Sequence, residues 1–208
     1  MDFQFYGANC IKISNKKVSI LIDDDLVEHG LNSVASPEDV ALFTLKKDSN
    51  NPSRFKIEGP GEYEISEVSI KAIPARAHID EAGKRATIFN LHYQGFSIGV
   101  LGHINPDLSD EQLEGLGLID VLIVPVGGMG YTLDPIGAAS LIKKIEPKIV
   151  IPTHFADSGV TYEVPQVNLE EFLKVMAAQD VEPIDVLKLK ESELGDKTKV
   201  VVLSRSTK

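Results

Sequence analysis

The sequence predicts a mixed α/β (α+β) fold in which two β-sheets pack face to face under outer helices, a four-layer αββα sandwich. Two observations support this prediction. Strand patterns joined by polar turns fill the first half of the 208-residue chain, and helices then alternate with buried strands before strand patterns return. That order does not fit a single doubly wound sheet, in which helices and strands alternate throughout. We expect one domain spanning residues 1–208.

In the first half, apolar residues alternate with polar ones over short runs, which is typical of half-buried strands. The pattern of residues 37–44 predicts a short helical segment that runs into a buried strand. Residues 59–64 are predicted to form a turn, because Pro60-Gly61 suits a type II corner. The strands predicted in this half cover residues 3–6, 10–13, 18–23, 55–57, 68–73, 87–93 and 97–101.

In the second half, helix signals appear between the strands. Ser109 and Gln112 form a capping box, which predicts a helix through Leu116. A second helix is predicted to begin at Pro135, where apolar residues recur at helical spacing and lysines follow near the end. A third helix covers residues 168–178, and buried strands cover residues 121–125, 148–152, 186–189 and 199–203.

Composition and charge narrow the classes of partner. The net charge is −10 and basic residues form no long cluster, which argues against nucleic acids and anionic membranes as partners. With no signal-peptide pattern and no apolar run of membrane-spanning length, we expect a cytoplasmic protein without membrane contact. The single cysteine, Cys10, alternates with apolar strand residues and is expected in the core rather than as a nucleophile.

Three of the five histidines stand just past the ends of predicted strands: His78, His103 and His154. Strand ends are where sheet proteins gather side chains from distant parts of the chain. Three neutral imidazoles and a water can form a tetrahedral zinc site, in which the metal supplies a hydroxide nucleophile. Alternatively, the three rings hydrogen-bond one another or the backbone and hold no metal.

Several stretches around these histidines make the chain similar to a known group of proteins. They are F-Y-G-A-N-C-I-K-I, V-S-I-L-I-D, D-V-A-L-F-T, P-A-R-A-H, V-L-G-H, D-V-L-I-V-P-V-G-G, Y-T-L-D and K-I-V-I-P-T-H. In this order they resemble the metallo-β-lactamase fold superfamily, in particular its lactonase-like branch of small cytoplasmic hydrolases. The resemblance implies a β-sandwich flanked by helices, with a one- or two-metal site at one edge.

The chain departs from that family where most of the metal ligands should lie. After D-V-A-L-F-T the family carries H-x-H-x-D-H, whereas residues 45–50 here read L-K-K-D-S-N. By resemblance, His78 and His154 match family ligands, and His103 stands where a metal-bridging aspartate is usual. The resemblance also makes Asp23 a supporting acid at a strand end and Tyr131 a substrate-facing residue.

Other side chains are candidates for supporting roles. Asp48, Asp80 or Asp157 could orient a ligand or act as a general base. Lys46 and Lys47 either point to solvent or turn inward, where an ammonium would hold a small anion. Glu62 is either structural or reaches the histidines. Two further histidines are expected elsewhere, His29 closing a helical turn before Gly30 and His92 on the surface.

Two functions follow from these observations. The first is a hydrolase with a reduced, single-metal site of three histidines, acting on a small ester, lactone or phosphorylated compound. The second is a non-catalytic binding or assembly protein on a degenerate hydrolase scaffold. The cofactor is accordingly one divalent metal, with zinc the best match to imidazole ligands, or none. The expected partner is a small, anionic molecule; the sequence specifies no oligomeric state.

Overall fold

The computed structural model of the protein describes residues 1–46, 51–78 and 85–207. Within these ranges lie thirteen strands and three α-helices. They are β1 (Asp2–Gly7), β2 (Cys10–Ser14), β3 (Ser19–Ile22), β4 (Val40–Leu42), β5 (Phe55–Ile57), β6 (Gly61–Ile65), β7 (Val68–Arg76), β8 (Arg85–Tyr93), β9 (Phe96–Val100), α1 (Asp110–Leu116), β10 (Val121–Pro125), α2 (Pro135–Ile145), β11 (Ile149–Thr153), α3 (Leu169–Val175), β12 (Leu187–Lys188) and β13 (Lys199–Val200).

The strands form two sheets. The first has the order β12-β1-β2-β3-β4-β5 and the second β13-β11-β10-β9-β8-β7-β6. In the second sheet β6 to β9 are antiparallel neighbours, whereas β9, β10, β11 and β13 are parallel. The parallel strands β10 and β11 are buried along their whole length, as expected for strands covered on both faces.

The main hydrophobic core lies between the two sheets, and a second core lies under the helices. Phe3 and Ile11 of the first sheet pack with Leu91 and Ile123 of the second in the main core. All three helices contribute to the second core, on the outer face of the second sheet, for example through Phe172 of α3. The two-sheet α/β sandwich predicted from the sequence is therefore confirmed.

The outer layer over the first sheet is made differently. There a 3₁₀ turn, Leu26–His29, and the extended chain after it cover the sheet, with Leu26 packed against Leu21 and Cys10. Asp25 precedes this turn, and Gly30, with a left-handed φ of 76°, ends it after one turn. Cys10 is fully buried, as predicted, and burial raises the pKa of its thiol well above the ordinary value.

Two local predictions were wrong. Residues 37–44 do not enter β4 through a helix, since only a turn precedes the strand. The segment predicted as a turn at residues 59–64 instead contains most of β6, because the alternation of Glu62, Tyr63 and Glu64 suits an edge strand. The Pro-Gly corner ends where that strand begins.

Candidate functional site

The three predicted histidines lie at one edge of the second sheet. β9 and β11 run parallel, so the residues that follow them, His103 and His154, emerge at the same edge. β7 is antiparallel to β8, which is antiparallel to β9, and its C-terminal end therefore reaches this edge too. The backbone N–H of His78 donates to the carbonyl of His103 over 2.9 Å, which joins the two segments directly.

The rings of His103 and His154 are in contact. Their centroids are 4.8 Å apart with the planes nearly perpendicular. Tyr131 covers both, with its ring centroid 5.1 Å from that of His103 and 5.8 Å from that of His154. Tyr131 therefore packs against both rings, and its role as a substrate-facing residue stays a prediction.

The ring of His78 has a backbone carbonyl as its partner. Its Nδ1 lies 3.2 Å from the carbonyl oxygen of Ile104, to which it can donate a hydrogen bond. The residues around it are held by a second backbone bond, from Asn105 N–H to the carbonyl of Arg76. The structure therefore brings His78 to the same edge as the other two histidines and gives its ring a backbone partner.

His154 is the most constrained of the three. Its backbone has a φ of 52°, which is costly for a residue with a Cβ, and its N–H donates to the carbonyl of Ala8 in the β1–β2 turn. Its Nδ1 lies 3.1 Å from Oε1 of Gln166. Because an amide oxygen can only accept, Nδ1 carries the hydrogen and Nε2 carries the lone pair.

That lone pair on His154 is buried. The residue is 1% exposed, and its Nε2 has no hydrogen-bond partner in the described parts of the chain. Burial lowers the pKa of His154 from 6.5 to about 4, and the hydrogen bond with Gln166 only partly opposes this. The imidazole is therefore neutral at physiological pH and presents a nitrogen with an available lone pair.

The loop after β10 packs closely against His154, and the residue at the point of closest approach is Gly127. A Cβ at Gly127 would lie 2.0 Å from the carbonyl oxygen of His154 and 2.3 Å from Oε1 of Gln166. The backbone N–H of Val167 donates to the carbonyl of Gly127, which fixes the two segments together. The glycine-rich turn thus allows close packing that orients the His154 ring.

Two aromatic residues near His154 were not predicted to belong to the site. Tyr162 lies 5.0 Å from His154 between centroids, and His29 lies 5.5 Å from Tyr162 and 6.2 Å from His154. His29 does close the turn before Gly30, as predicted, and its Nε2 also lies 3.6 Å from the Asp25 carboxylate. The sequence signal that could have indicated this pairing was the spacing of four residues between Asp25 and His29.

Asn9 is a further site residue that sequence reasoning missed, although it lies within the G-A-N-C stretch. Its Oδ1 accepts a hydrogen bond of 2.8 Å from the hydroxyl of Thr153. Its Nδ2 lies 3.2 Å from Nδ1 and 3.5 Å from Nε2 of His103. All three residues are buried, so the amide links the first sheet to two strand ends of the second.

Asp23 supports the same edge from the first sheet. Its carboxylate accepts hydrogen bonds from the backbone N–H and the hydroxyl of Thr44, at 2.7 and 2.6 Å. A Cβ at Gly102, which precedes His103, would lie only 2.2 Å from the Thr44 hydroxyl oxygen. Asp23 is thus linked to the histidine segment through Thr44, and its role as a supporting acid stays a prediction.

The remaining predicted residues are spread more widely. Asp157 follows β11 but accepts a 2.6 Å bond from Arg205 Nε, and Glu62 is exposed on β6 beside a groove of about 380 Å³ near α1. Lys46 is exposed, as the solvated alternative predicted. Three predicted residues, Lys47, Asp48 and Asp80, lie outside the described residues.

A larger groove, of about 620 Å³, lies away from His78, His103 and His154, and His92 is among its lining residues. It is lined by Phe96, Asp120 and Lys148, which stand at or just before the starts of β9, β10 and β11. That is the opposite edge of the second sheet. Volume alone therefore does not identify the site, and we place it at the histidines because of their chemistry.

Two general findings concern metals and membranes. Over residues 1–46, 51–78 and 85–207, no group of three or more His, Cys, Asp or Glu side chains is arranged to hold a metal ion. The three-histidine metal site consequently stays a prediction. Among the described helices, none is both long and apolar enough to span a membrane.

Comparison with known proteins gives consistent matches. Residues 2–154 match a family model described as the beta-lactamase superfamily domain. A UPF0173 metal-dependent hydrolase from Listeria welshimeri is 26% identical, with 74% of this chain and 85% of that protein covered. A candidate zinc-dependent hydrolase of the metallo-β-lactamase superfamily from Thermotoga maritima has a similar structure, with a TM-score of 0.73, 23% identity and 97% of each chain covered. A metallo hydrolase from Ignicoccus hospitalis has a TM-score of 0.60 at 17% identity, over 91% of this chain and 99% of that one.

Proposed function

This chain belongs to the metallo-β-lactamase superfamily, and on that premise we propose that it is a metal-dependent hydrolase whose site is the histidine edge of the second sheet. The observation that carries the proposal is the buried Nε2 of His154, which has no partner among the described residues. A lone pair without a hydrogen bond in the interior is costly unless a ligand engages it. A divalent cation is one such ligand.

The His154 side chain fits a metal ligand in three respects. It is neutral at physiological pH, its Nε2 carries the lone pair, and Gln166 holds the other nitrogen. Metal-binding histidines commonly have their second nitrogen fixed in this way. We propose zinc in particular, since imidazole donors suit it, and His78 and His103 as the other two candidate ligands of a reduced single-metal site. The Nδ1 contact of His78 with the Ile104 carbonyl leaves its Nε2 for the metal in the same way, whereas His103 would have to turn from the Asn9 amide to join them.

The surrounding residues would shape the reaction. A bound divalent metal would supply a water of lowered pKa. Tyr131 and Tyr162 pack around His154 and limit solvent access, while Gln166 keeps its ring in place. We propose as substrate a small ester, lactone or phosphorylated compound. With a net charge of −10, the chain is poorly suited to bind polyanions such as nucleic acids.

Metal analysis tests this proposal directly. Protein purified without chelators is expected to contain about one equivalent of metal, or to take up Zn²⁺ in a calorimetric titration. His154→Asn should weaken that binding by at least about tenfold, because it removes the imidazole nitrogen that would bind the metal. Asparagine is chosen because it tolerates the positive φ at this position. The exposed His92 provides the control, and His92→Gln should bind as the wild type does. Absence of zinc, manganese and iron together with no uptake would refute the proposal.

A non-catalytic binding or assembly protein is the second candidate, and one observation favours it. The ring of His103 lies against the Asn9 amide, and among the described residues no group of three or more His, Cys, Asp or Glu side chains is arranged to hold a metal ion. For this function, His78→Ala and His154→Asn should leave small-molecule binding intact. No turnover of esters, lactones or phosphate esters should then be detected, with or without added metal.

A further inference from the structure

We infer that His29 is a positioning residue of the site, which acts through Thr161 on the loop that supports the His154 ring. This segment, residues 155–167, is the His154 loop. The consequence for a bound metal rests on the proposed function. The placement of the loop does not, because it follows from contacts within the chain.

The His154 loop closes on itself and returns two side chains to the histidine. Near its ends, the backbone N–H of Ala156 donates to the carbonyl of Val167 over 2.9 Å. Gln166 places Oε1 3.1 Å from Nδ1 of His154, and the ring centroid of Tyr162 lies 5.0 Å from that of His154. The position of the loop therefore determines which groups surround the His154 ring.

The orientation of the Gln166 amide is fixed inside the loop. Its Nε2 donates to the carbonyl of Val164 over 2.7 Å. Because that carbonyl can only accept, the NH₂ group must face it, and Oε1 is the atom that faces His154. A loop that moved away would remove this acceptor from Nδ1 of His154. The tautomer of His154 therefore depends on where the loop lies.

His29 holds the middle of the loop with two hydrogen bonds to one residue. Its carbonyl accepts from the N–H of Thr161 over 2.9 Å, and its Nδ1 lies 3.1 Å from the carbonyl oxygen of Thr161. Since that oxygen can only accept, Nδ1 of His29 carries the hydrogen whether the ring is neutral or charged. Both backbone polar groups of Thr161 are therefore bound by His29, directly before Tyr162 in the chain.

His29 is itself anchored on the cover of the first sheet. It ends the 3₁₀ turn, it is buried, and its Nε2 lies 3.6 Å from the Asp25 carboxylate. A Cβ at Gly30 would lie 3.3 Å from Oγ1 of Thr161, so the turn and the loop are closely packed. His29 therefore links the position of the first sheet's cover to the groups around His154.

Ring-nitrogen NMR of the metal-free whole chain tests the inference. Protein labelled with ¹⁵N-histidine would be studied at about pH 7, where His154 is neutral, and its signals assigned through His154→Asn. We expect the hydrogen on Nδ1 of His154 in the wild type. His29→Leu removes the donor to Thr161 and should give a mixture of both His154 tautomers. His29→Asn should keep the wild-type form, because its amide nitrogen can take the place of Nδ1.

Zinc titration gives a second readout, and two further variants supply controls. His29→Leu should weaken Zn²⁺ binding by about tenfold, whereas His29→Asn should bind as the wild type does. Thr161→Ala should leave the His154 signals unchanged, because both bonds to His29 use backbone atoms of Thr161. His29→Gln places its amide at the position of Nε2, so it should behave as His29→Leu does and serves if the leucine variant does not fold.

The outcomes separate the role of His29 from the proposed hydrolase. Unchanged His154 signals in folded His29→Leu or His29→Gln protein would overturn the inference, and so would equal changes in His29→Leu and His29→Asn. The expected change of tautomer, without zinc binding by any of the proteins, would refute the proposed hydrolase and support the role of His29.

Discussion

His154 directly follows β11 and has a backbone conformation and an environment that are both unfavourable for a histidine. Its φ is 52°, and burial disfavours the charged form of its ring. The backbone bond to Ala8 and the side-chain bond to Gln166 hold it there. Strain of this kind persists only where the surrounding structure enforces it, and it is common at functional sites.

The low pKa of His154 predicts a specific dependence of stability on pH. The unfolded chain binds a proton at this residue below about pH 6.5, whereas the folded protein does so only near pH 4. The contribution of neutral His154 to the free energy of unfolding is therefore fully present above about pH 6.5. It is lost as the pH falls toward 4, and the loss reaches up to about 3 kcal/mol. We expect a steeper loss of unfolding free energy for wild type than for His154→Asn, measured by urea denaturation of metal-free protein.

The exposed histidine of β8 serves as the control for this experiment. His92→Gln removes a histidine whose side chain is exposed, so its pH dependence should follow that of the wild type. If the unfolding free energies of wild type and His154→Asn changed equally with pH between about pH 7 and 4, the prediction would be contradicted.

At the level of elements, the site depends on how closely the ends of β4 and β9 approach each other. Thr44 follows β4 and Gly102 follows β9, and a Cβ at Gly102 would come within 2.2–2.5 Å of three Thr44 side-chain atoms. The N–H of Thr87 in β8 donates to the carbonyl of Thr44 over 2.8 Å, which joins the two sheets at this point. Asp23 is held at this edge through the same threonine.

Gly102→Ala is therefore expected to lower the unfolding free energy far more than an alanine substitution at another glycine that also has a positive φ. We expect a loss of at least about 3 kcal/mol in unfolding free energy, since the Cβ must displace Thr44 and break its bond to Asp23. Gly130 is the matched control. It also has a positive φ, 78°, but a Cβ added there would meet no described atom within 4 Å, so Gly130→Ala should cost about 1 kcal/mol. Similar losses for the two variants in urea denaturation would contradict the role assigned to the close approach.

At the level of the whole molecule, the C-terminal segment joins the first sheet to the site edge. Arg205 forms a β-bridge with Phe5 of β1, and its Nε donates to the Asp157 carboxylate in the loop after His154. Asp157 also accepts a bond from the backbone N–H of Gly159. The acid predicted as a general base is thus positioned as a partner of Arg205, three residues from His154.

The Asp157–Arg205 pair should contribute modestly to stability. Both side chains are mostly buried, 18% and 23% exposed, and we expect Arg205→Met to lower the unfolding free energy by about 1 kcal/mol, less at high salt. The exposed pair Lys17–Glu67 is the control, and Lys17→Met should produce no measurable change. A large loss of hydrolysis without any loss of stability in Arg205→Met would instead assign Asp157 a role in the reaction.

Local patterns were sufficient for some features and not for others. The capping box at Ser109 and the start of α2 at Pro135 were predicted correctly, because caps and helix starts depend on adjacent residues. β6 was mistaken for a turn because the Pro-Gly corner next to it is a stronger local signal than its edge-strand alternation. Asn9 was missed because its partner His103 lies 94 residues away.

The sequence by itself determined the positions of most strands along the chain, their buried faces and the placement of three histidines just past strand ends, since each depends on periodicity within a few residues. Only the tertiary structure decided which partner each imidazole meets. Gln166 faces His154, Asn9 faces His103 and a backbone carbonyl faces His78 because of sheet register and the close approach of chain segments. These are non-local packing relationships, and they set the burial and the hydrogen-bond partners of each ring.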